Sequence, residues 1–224
     1  MGVHRPIAIT SNKGASFVVP MEKQRRMNRL MKLAGALMLG GTALSVPIAS
    51  VQAAVVANQD ASTFISSLGT EAFAVLKTGN KTAVRSKFRE LLSQHFAIDA
   101  IGERLIRRWT NQITPQQKAA YKAAIPNFII GTYSDNLYDY ANASMKVIRT
   151  APAGSGFNVV TQVQKPGAQP ISAVWSVAKV GGAFKVTNLT VANINLAVTQ
   201  GQDFDAIIQR KGIDGLIAMM KARS

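Results

Sequence analysis

The spacing of apolar residues changes at about residue 142, and this change restricts the chain to a mixed fold class. Before that point apolar residues recur at helical spacing, and after it they alternate as in half-buried strands. The predicted helices span 61–77, 81–95, 114–140 and 203–222. The predicted strands span 144–150, 157–164, 171–180 and 183–197. Because short turns join these strands, we expect an α+β fold with helices packed on a twisted four-stranded antiparallel sheet.

Several helix boundaries are marked by local sequence. Thr114 is predicted to cap a helix, because Pro115 takes the first helical position and Gln117 stands three residues after the cap. Asp99 is predicted to cap a shorter helix whose inner side includes Trp109. Gly212 is predicted to divide the last helical segment into two.

A basic run followed by a long uncharged stretch lies at the start of the chain. Residues 1–53 hold seven Lys and Arg and one acid, and no charge occurs from 33 to 59. Small side chains at Val51 and Ala53 then predict a Sec-type signal peptide cleaved after Ala53. A membrane anchor is the alternative, which Gly and Pro within the stretch disfavour. We therefore expect a presequence over 1–53, a single domain over 54–224, and a periplasmic location.

The composition leaves little chemistry for an enzyme. The chain has no Cys and two His, which excludes thiolate nucleophiles and disulfides and disfavours histidine-based metal sites. No Gly-x-Ser-x-Gly motif, Gly-rich phosphate loop or His-Glu-x-x-His motif is present. His95 is a candidate general base without a second His or Cys nearby in sequence. We expect a non-enzymatic protein with no catalytic residue, no metal and no cofactor.

Basic residues cluster in the helical half of the chain, at Arg104, Arg107, Arg108, Lys118 and Lys122. Such a cluster is typical of nucleic-acid binding, but export from the cytoplasm argues against that partner. Anionic lipid headgroups and acidic protein surfaces are the partners that remain. A solvated helix face explains the same residues equally well.

The apolar content indicates either a filled hydrophobic core or a binding site for an apolar ligand. Hydrophobic residues make up 47% of the chain. A curved sheet covered by amphipathic helices can enclose an apolar cavity, and the sequence of such a lining matches that of a filled core. Over 171–178 one side of the predicted strand is bulkier than the other, and it carries Ile171, Ala173, Trp175 and Val177.

Three segments, in their order and spacing, resemble a known family. The first runs from Ile113 to Tyr121 and continues to Thr132-Tyr133, and the second pairs 170–179 with 183–196. The third is Lys211-Gly212-Ile213-Asp214-Gly215-Leu216. Together they resemble MlaC, the toluene-tolerance family of periplasmic phospholipid carriers of the Mla lipid-transport system. The resemblance covers about 64–222.

The sequence departs from that family at several positions. The family usually has Trp where Phe184 stands, Asp where Asn188 stands, and Glu-Gly-x-Ser where 192–195 read Ala-Asn-Ile-Asn. These changes keep the apolar character of the predicted pocket. They leave open the partner surface and the lipid preference.

The resemblance implies a mixed fold of the NTF2 or cystatin-like kind, in which sheet and helices enclose a deep apolar pocket. It implies that acyl tails lie inside and that the headgroup stays in water. For each predicted lining residue, plain core packing is an equally good interpretation. The predicted lining consists of Leu105, Trp109, Phe128, Ile129, Tyr133, Val160, Ile171, Ala173, Trp175, Val177, Val186 and Ile194.

The function implied is that of a periplasmic phospholipid carrier in an ABC-type intermembrane transport system. Its partners would be an inner-membrane ABC permease with its lipid-binding subunit and an outer-membrane complex, with no nucleic acid. The residues themselves leave two alternative functions open. One is a carrier of another apolar ligand, such as a hopanoid or an organic solvent, and the other is a ligand-free interaction module that acts through its basic surface.

Overall fold

We describe residues 54–57 and 59–223 from a computed structural model of the protein. The predicted presequence and its cleavage site after Ala53 lie outside this range, as do the side chains of residues 134–136. The helices are α1 (Ala61–Leu76), α2 (Lys81–His95), α3 (Ile98–Leu105), α4 (Pro115–Leu137) and α5 (Leu196–Ala222). A 3-10 turn, Tyr138–Tyr140, follows α4. No helix in this part of the chain is long and apolar enough to cross a membrane.

The strands form one antiparallel sheet in sequence order, β1-β2-β3-β4-β5. Their bounds are β1 (Ser144–Ala153), β2 (Gly156–Gln164), β3 (Ile171–Val180), β4 (Ala183–Val191) and β5 (Ile194–Asn195). Helices come first, strands second and a helix last, so the predicted α+β class is confirmed. The sheet order follows from the short turns, which join each strand to its neighbour.

The predicted number of strands is wrong, because the sheet has five. The segment predicted as one strand over 183–197 turns at Ala192 and Asn193, whose φ angles are 48° and 64°. These positive angles suit a tight two-residue hairpin, after which Ile194 pairs back onto Val191. Asn tolerates this backbone region, but Ala seldom adopts it, so no local residue pattern predicted the turn.

The local sequence predicted only some of the observed helix caps. The Thr114 capping box is present, with the Thr114 hydroxyl accepting from the Gln117 amide and the Gln117 side chain accepting from the Thr114 amide. Asp99 lies in the first turn of α3 and does not cap it. Trp109 lies beyond the last residue of that helix.

The last helix begins seven residues earlier than predicted, at Leu196 instead of 203. Its cap is Asn195, whose side-chain oxygen accepts from the Val198 amide at 3.1 Å. Because residues 183–197 were expected to form one strand, Asn195 was not predicted to cap a helix. The predicted break at Gly212 is confirmed, since Gly212 has φ 69° and ψ 177° within α5.

Replacement of Gly212 by Ala is expected to lower the free energy of unfolding by about 1–3 kcal/mol. A Cβ at Gly212 would meet no atom within 4 Å, so the cost comes from the backbone angles alone. A matched control is Gly102→Ala in α3, where φ is not positive and the nearest atom lies at 3.5 Å. That variant is expected to be neutral or stabilised. Urea unfolding of both proteins tests this contrast, and equal effects would contradict it.

Two apolar clusters hold the described residues together. The helical cluster joins the end of α3 with α4 and α5, and it includes the fully buried Tyr121, Phe128 and Phe204. The sheet cluster joins α1 and Leu91 of α2 to the sheet. Its buried members are Ala61, Phe64, Ile65, Leu68, Leu91, Val159, Val177, Phe184 and Val186.

The strand register divides the sheet into two faces. We call inner the face that carries Val159 of β2, Trp175 of β3 and Val186 of β4, because these residues contact the sheet cluster. We call outer the opposite face, which carries Val160 of β2 and Val174 of β3. The segment before α1 lies on the inner side, since Val55 and Ala57 pack against the sheet cluster, and the Phe184 amide donates to the Ala57 carbonyl at 2.9 Å.

Candidate functional site

The inner face gathers most of the strand residues predicted to line a pocket. Ile171, Ala173, Trp175 and Val177 alternate along β3 and therefore share this face. Val186 pairs with Val177, and Ile194 pairs with Val191, which stands opposite Ala173. These six predicted residues are thus brought to one surface by the register.

Val160 is the exception among the predicted strand residues. It pairs with Val174, and both are offset by one position from Thr161 and Trp175. Because a strand alternates its side chains, Val160 lies on the outer face, away from the other six. Val160 is therefore not part of the surface that the other six residues form.

Fully buried apolar side chains are concentrated at one end of the inner face, whereas toward the other end only Thr161 and Ala173 of the described strands are buried. Val159, Val177, Phe184 and Val186 are at most 3% exposed and belong to the sheet cluster. Toward the other end lies what we call the apolar strip, whose side chains are half-buried and belong to neither cluster. The apolar strip consists of Val163, Ile171, Leu189, Val191 and Ile194.

Trp175 lies at the boundary between the filled end and the apolar strip. It packs against the sheet cluster and stands opposite Leu189. Its indole Nε1 donates to the Thr161 hydroxyl at 2.9 Å, and Thr161 is fully buried. Since this bond satisfies the polar atom of the indole, the remaining ring surface is apolar and suited to contact with hydrocarbon.

The predicted helical residues lie mainly in the helical cluster. Leu105 and Phe128 are buried within it, and Ile129 packs against it in a half-buried position. Trp109 also packs there, and its Nε1 donates to the Asp205 carboxylate at 2.7 Å. These four therefore have well-defined roles in packing, whatever else they contact.

Tyr133 differs from those four, because it belongs to neither cluster. Its hydroxyl donates to the side-chain oxygen of Gln200 on α5 at 3.3 Å. Burial, followed by the negative charge of Asp203, raises the pKa of Tyr133 above the ordinary value of 10.0. The hydroxyl therefore stays protonated at neutral pH and links α4 to the first turns of α5.

Sequence reasoning missed several residues of this region. Thr161 and Gln200 are buried polar side chains that each bind the polar atom of an aromatic residue. Leu189 and Val191 follow from the alternation within β4 and were detectable in principle. Gln200 was not, because the start of α5 was not recognised.

The basic cluster of the helices is largely neutralised by nearby carboxylates. Lys118 and Lys122 lie 3.3 and 3.2 Å from Glu103, and Arg108 lies 3.2 Å from Asp205. Arg104 donates to the backbone carbonyl of Thr187 at 3.3 Å. This surface is therefore an ion-paired helix face and a weaker candidate for an acidic partner than the sequence indicated.

No metal site emerges in the described ranges, where no group of three or more His, Cys, Asp or Glu side chains is placed to hold an ion. His95, the candidate base, ends α2 with its ring 6.0 Å from that of Phe64. Burial lowers the pKa of His95 below its ordinary value of 6.5. Glu71 acts in the opposite direction, and Lys185 adds to the lowering. The residue is thus a half-buried neutral side chain at neutral pH.

This lowered pKa predicts a pH effect on stability. Below pH 6.5 the unfolded chain binds a proton at His95 more readily than the folded chain, so the free energy of unfolding falls as pH drops from about 7 to 5. His95→Gln is expected to flatten the curve in this window. Urea unfolding at several pH values measures it, and identical slopes for both proteins would contradict the prediction. The lowered pKa values of Asp60 and Glu103 affect the free energy of unfolding near pH 4, so their contribution can be separated from that of His95.

The comparisons with known proteins fit this architecture. A sequence profile described as MlaC protein matches residues 67–222, which is most of the chain. The chain belongs to the MlaC family. The structure also resembles a phospholipid-binding protein from Ralstonia solanacearum, solved in complex with a phospholipid, with a TM-score of 0.63 and 20% sequence identity. The match covers 74% of this chain and 97% of that one, and it shows that the two share the MlaC fold.

The positions that depart from the MlaC pattern can now be placed. Phe184 is fully buried in the sheet cluster, and Asn188 lies opposite Ser176 on the outer face. Ala192 and Asn193 form the hairpin turn, and Asn195 caps α5. Of these positions only Ile194 contributes to the apolar strip, and it keeps an apolar side chain there.

Proposed function

We propose that this protein is a non-enzymatic phospholipid carrier that holds acyl chains against the apolar strip and leaves the headgroup in water. The observation that carries the proposal is membership of the MlaC family across almost all of 54–224. The phospholipid bound to the Ralstonia protein of the same fold supports it. The half-buried strip supplies an apolar surface that the protein's own side chains leave partly uncovered.

Elementary energetics agree with this assignment. Each methylene transferred from water to an apolar surface contributes about 0.8 kcal/mol, so even one acyl chain supplies a large driving force. A charged headgroup would be costly to bury, and leaving it in water avoids that cost. The polar atoms of Trp175 and Tyr133 are hydrogen-bonded to Thr161 and Gln200. An apolar ligand that contacts these two side chains would therefore leave neither polar atom without a partner.

We further propose the cellular setting. Residues 1–53 direct Sec-type export with cleavage after Ala53, and residues 54–224 act in the periplasm as a single lipid-binding domain. The carrier exchanges lipid with an inner-membrane ABC permease and its lipid-binding subunit on one side, and with an outer-membrane complex on the other. The family and the presequence pattern support this setting.

A lipid-extraction assay tests the carrier function. The exported protein is stripped of lipid, mixed with vesicles of phosphatidylethanolamine and phosphatidylglycerol, and recovered after the vesicles are removed by centrifugation. We expect about one phospholipid per protein in the supernatant. Protein that takes up a hopanoid or an organic solvent but no phospholipid would favour the second interpretation. Protein that takes up no ligand at all would favour a filled interaction module.

The mature terminus is tested by the denatured mass of the same exported protein. A mass equal to that of residues 54–224 is expected from cleavage after Ala53. Retention of the uncharged stretch, with the protein in the membrane fraction, would instead indicate an anchor.

A further inference from the structure

Charge is distributed very unevenly between the helices and the sheet. Residues 140–202, which contain every strand of the described sheet, include no Asp or Glu. They include five bases: Lys146, Arg149, Lys165, Lys179 and Lys185. All acids that follow residue 53 lie outside this segment. The sheet therefore carries positive charge with no internal compensation.

Three of these bases lie on the outer face. Lys146 pairs with Gln162, and Arg149 pairs with Val160, so both point to the side opposite Trp175. Lys185 of β4 pairs with Ala178 and lies on the same outer face. The central strands fill the space between them with short neutral residues, namely Asn158, Ser172, Val174 and Ser176.

These bases differ from those of the helices in their surroundings. Helical Lys87 is paired with both Glu71 and Glu90, and Arg108 is paired with Asp205. Within the described ranges, no ion pair engages Lys146, Arg149 or Lys185. The outer face is thus a region where positive potential extends into solvent instead of ending on a neighbouring carboxylate.

The outer face also lacks an apolar cover among the described elements. Neither apolar cluster includes one of its residues. Two exposed apolar side chains adjoin this face: Ile148, 51% exposed at the β1 bulge beside Arg149, and Val180, 45% exposed at the end of β3 on the side opposite Lys179. Bases with neighbouring apolar groups are the combination that binds the surface of an anionic bilayer.

We propose that the outer face of the sheet is an electrostatic docking surface for anionic phospholipid bilayers. Its bases are spread over the edges of the face around short neutral residues, so the diffuse potential of a bilayer suits it better than a shaped protein partner. Each base held near such a bilayer strengthens binding about fivefold, so three contribute about a hundredfold. The inference goes beyond the carrier function and does not depend on which ligand the protein holds.

The test is sedimentation of the exported protein with vesicles that contain about 30% phosphatidylglycerol, at low and at high salt. The sheet variant Lys146→Gln/Arg149→Gln/Lys185→Gln is compared with a helix variant of equal net charge. The helix variant, Lys77→Gln/Arg107→Gln/Lys221→Gln, removes exposed bases outside the sheet. Circular dichroism and the urea midpoint establish that both variants are folded.

We expect the wild-type protein to sediment at low salt and to be released at high salt. Its vesicle partition coefficient should fall about a hundredfold in the sheet variant and at most about fivefold in the helix variant. Equal losses in the two variants would overturn the proposal, because net charge alone would then explain binding. Failure of the wild-type protein to bind anionic vesicles would also overturn it. The ligand content of each purified variant, read separately, keeps this test independent of the carrier function.

Discussion

Trp175→Asp is expected to reduce the phospholipid retained by the purified protein at least about tenfold while the fold persists. Trp175 borders the apolar strip, and its side chain is only half-buried, so a carboxylate there would face the proposed acyl chains. Placing hydrocarbon against a charge removes water from that charge, which costs several kcal/mol. Lipid is measured by extraction and quantification per mole of protein, and the fold by circular dichroism.

The matched control is Val174→Asp, on the same strand and the opposite face of the sheet. This variant introduces the same charge one residue away and should retain its lipid. Ile171→Asp provides a second probe within the apolar strip, should the loss of indole packing unfold the first variant. A folded Trp175→Asp protein with unchanged lipid content would remove Trp175 from the site.

Phe204→Ala is expected to lower the free energy of unfolding by about 3–5 kcal/mol, a large part of the total stability of a typical domain. Phe204 is fully buried, and its ring lies 5.4 Å from that of Phe128 and 6.3 Å from that of Tyr121. Truncation would leave a cavity at the meeting point of α4 and α5. Urea unfolding of lipid-free protein measures the change, because bound lipid would add its own stabilisation.

Val198→Ala is the control for that prediction. Val198 lies on the same helix but is 56% exposed, so its truncation should change stability by no more than about 0.5 kcal/mol. A loss below about 1 kcal/mol in Phe204→Ala would show that the helical cluster is not the core described above.

Much of the fold could be predicted because local and long-range signals agree. The capping box at Thr114 and the alternation along 171–180 each have a single structural interpretation, and both occur as expected. The end of the sheet could not be predicted, because a hairpin turn at Ala192 uses a backbone region that Ala disfavours. Because that turn was not predicted, the sequence also did not predict β5, the Asn195 cap or the start of α5 at Leu196.

The candidate site was predictable along a strand but not between strands. Alternation places Ile171, Ala173 and Trp175 on one side, and the structure agrees. Which side of β2 faces them depends on its register with β3, and no local pattern specifies that register, so the position of Val160 on the face opposite Trp175 could not be predicted. Pairing of Tyr133 with Gln200 across 67 residues likewise depends on tertiary packing alone.

The most direct test of the central claim is native mass spectrometry of the exported protein, purified without detergent, followed by extraction and identification of the bound molecule. The proposed function predicts a complex heavier than the mature chain by the mass of a two-chain phospholipid. A bound mass matching a hopanoid, or a ligand-free protein that also refuses added phospholipid, would contradict it.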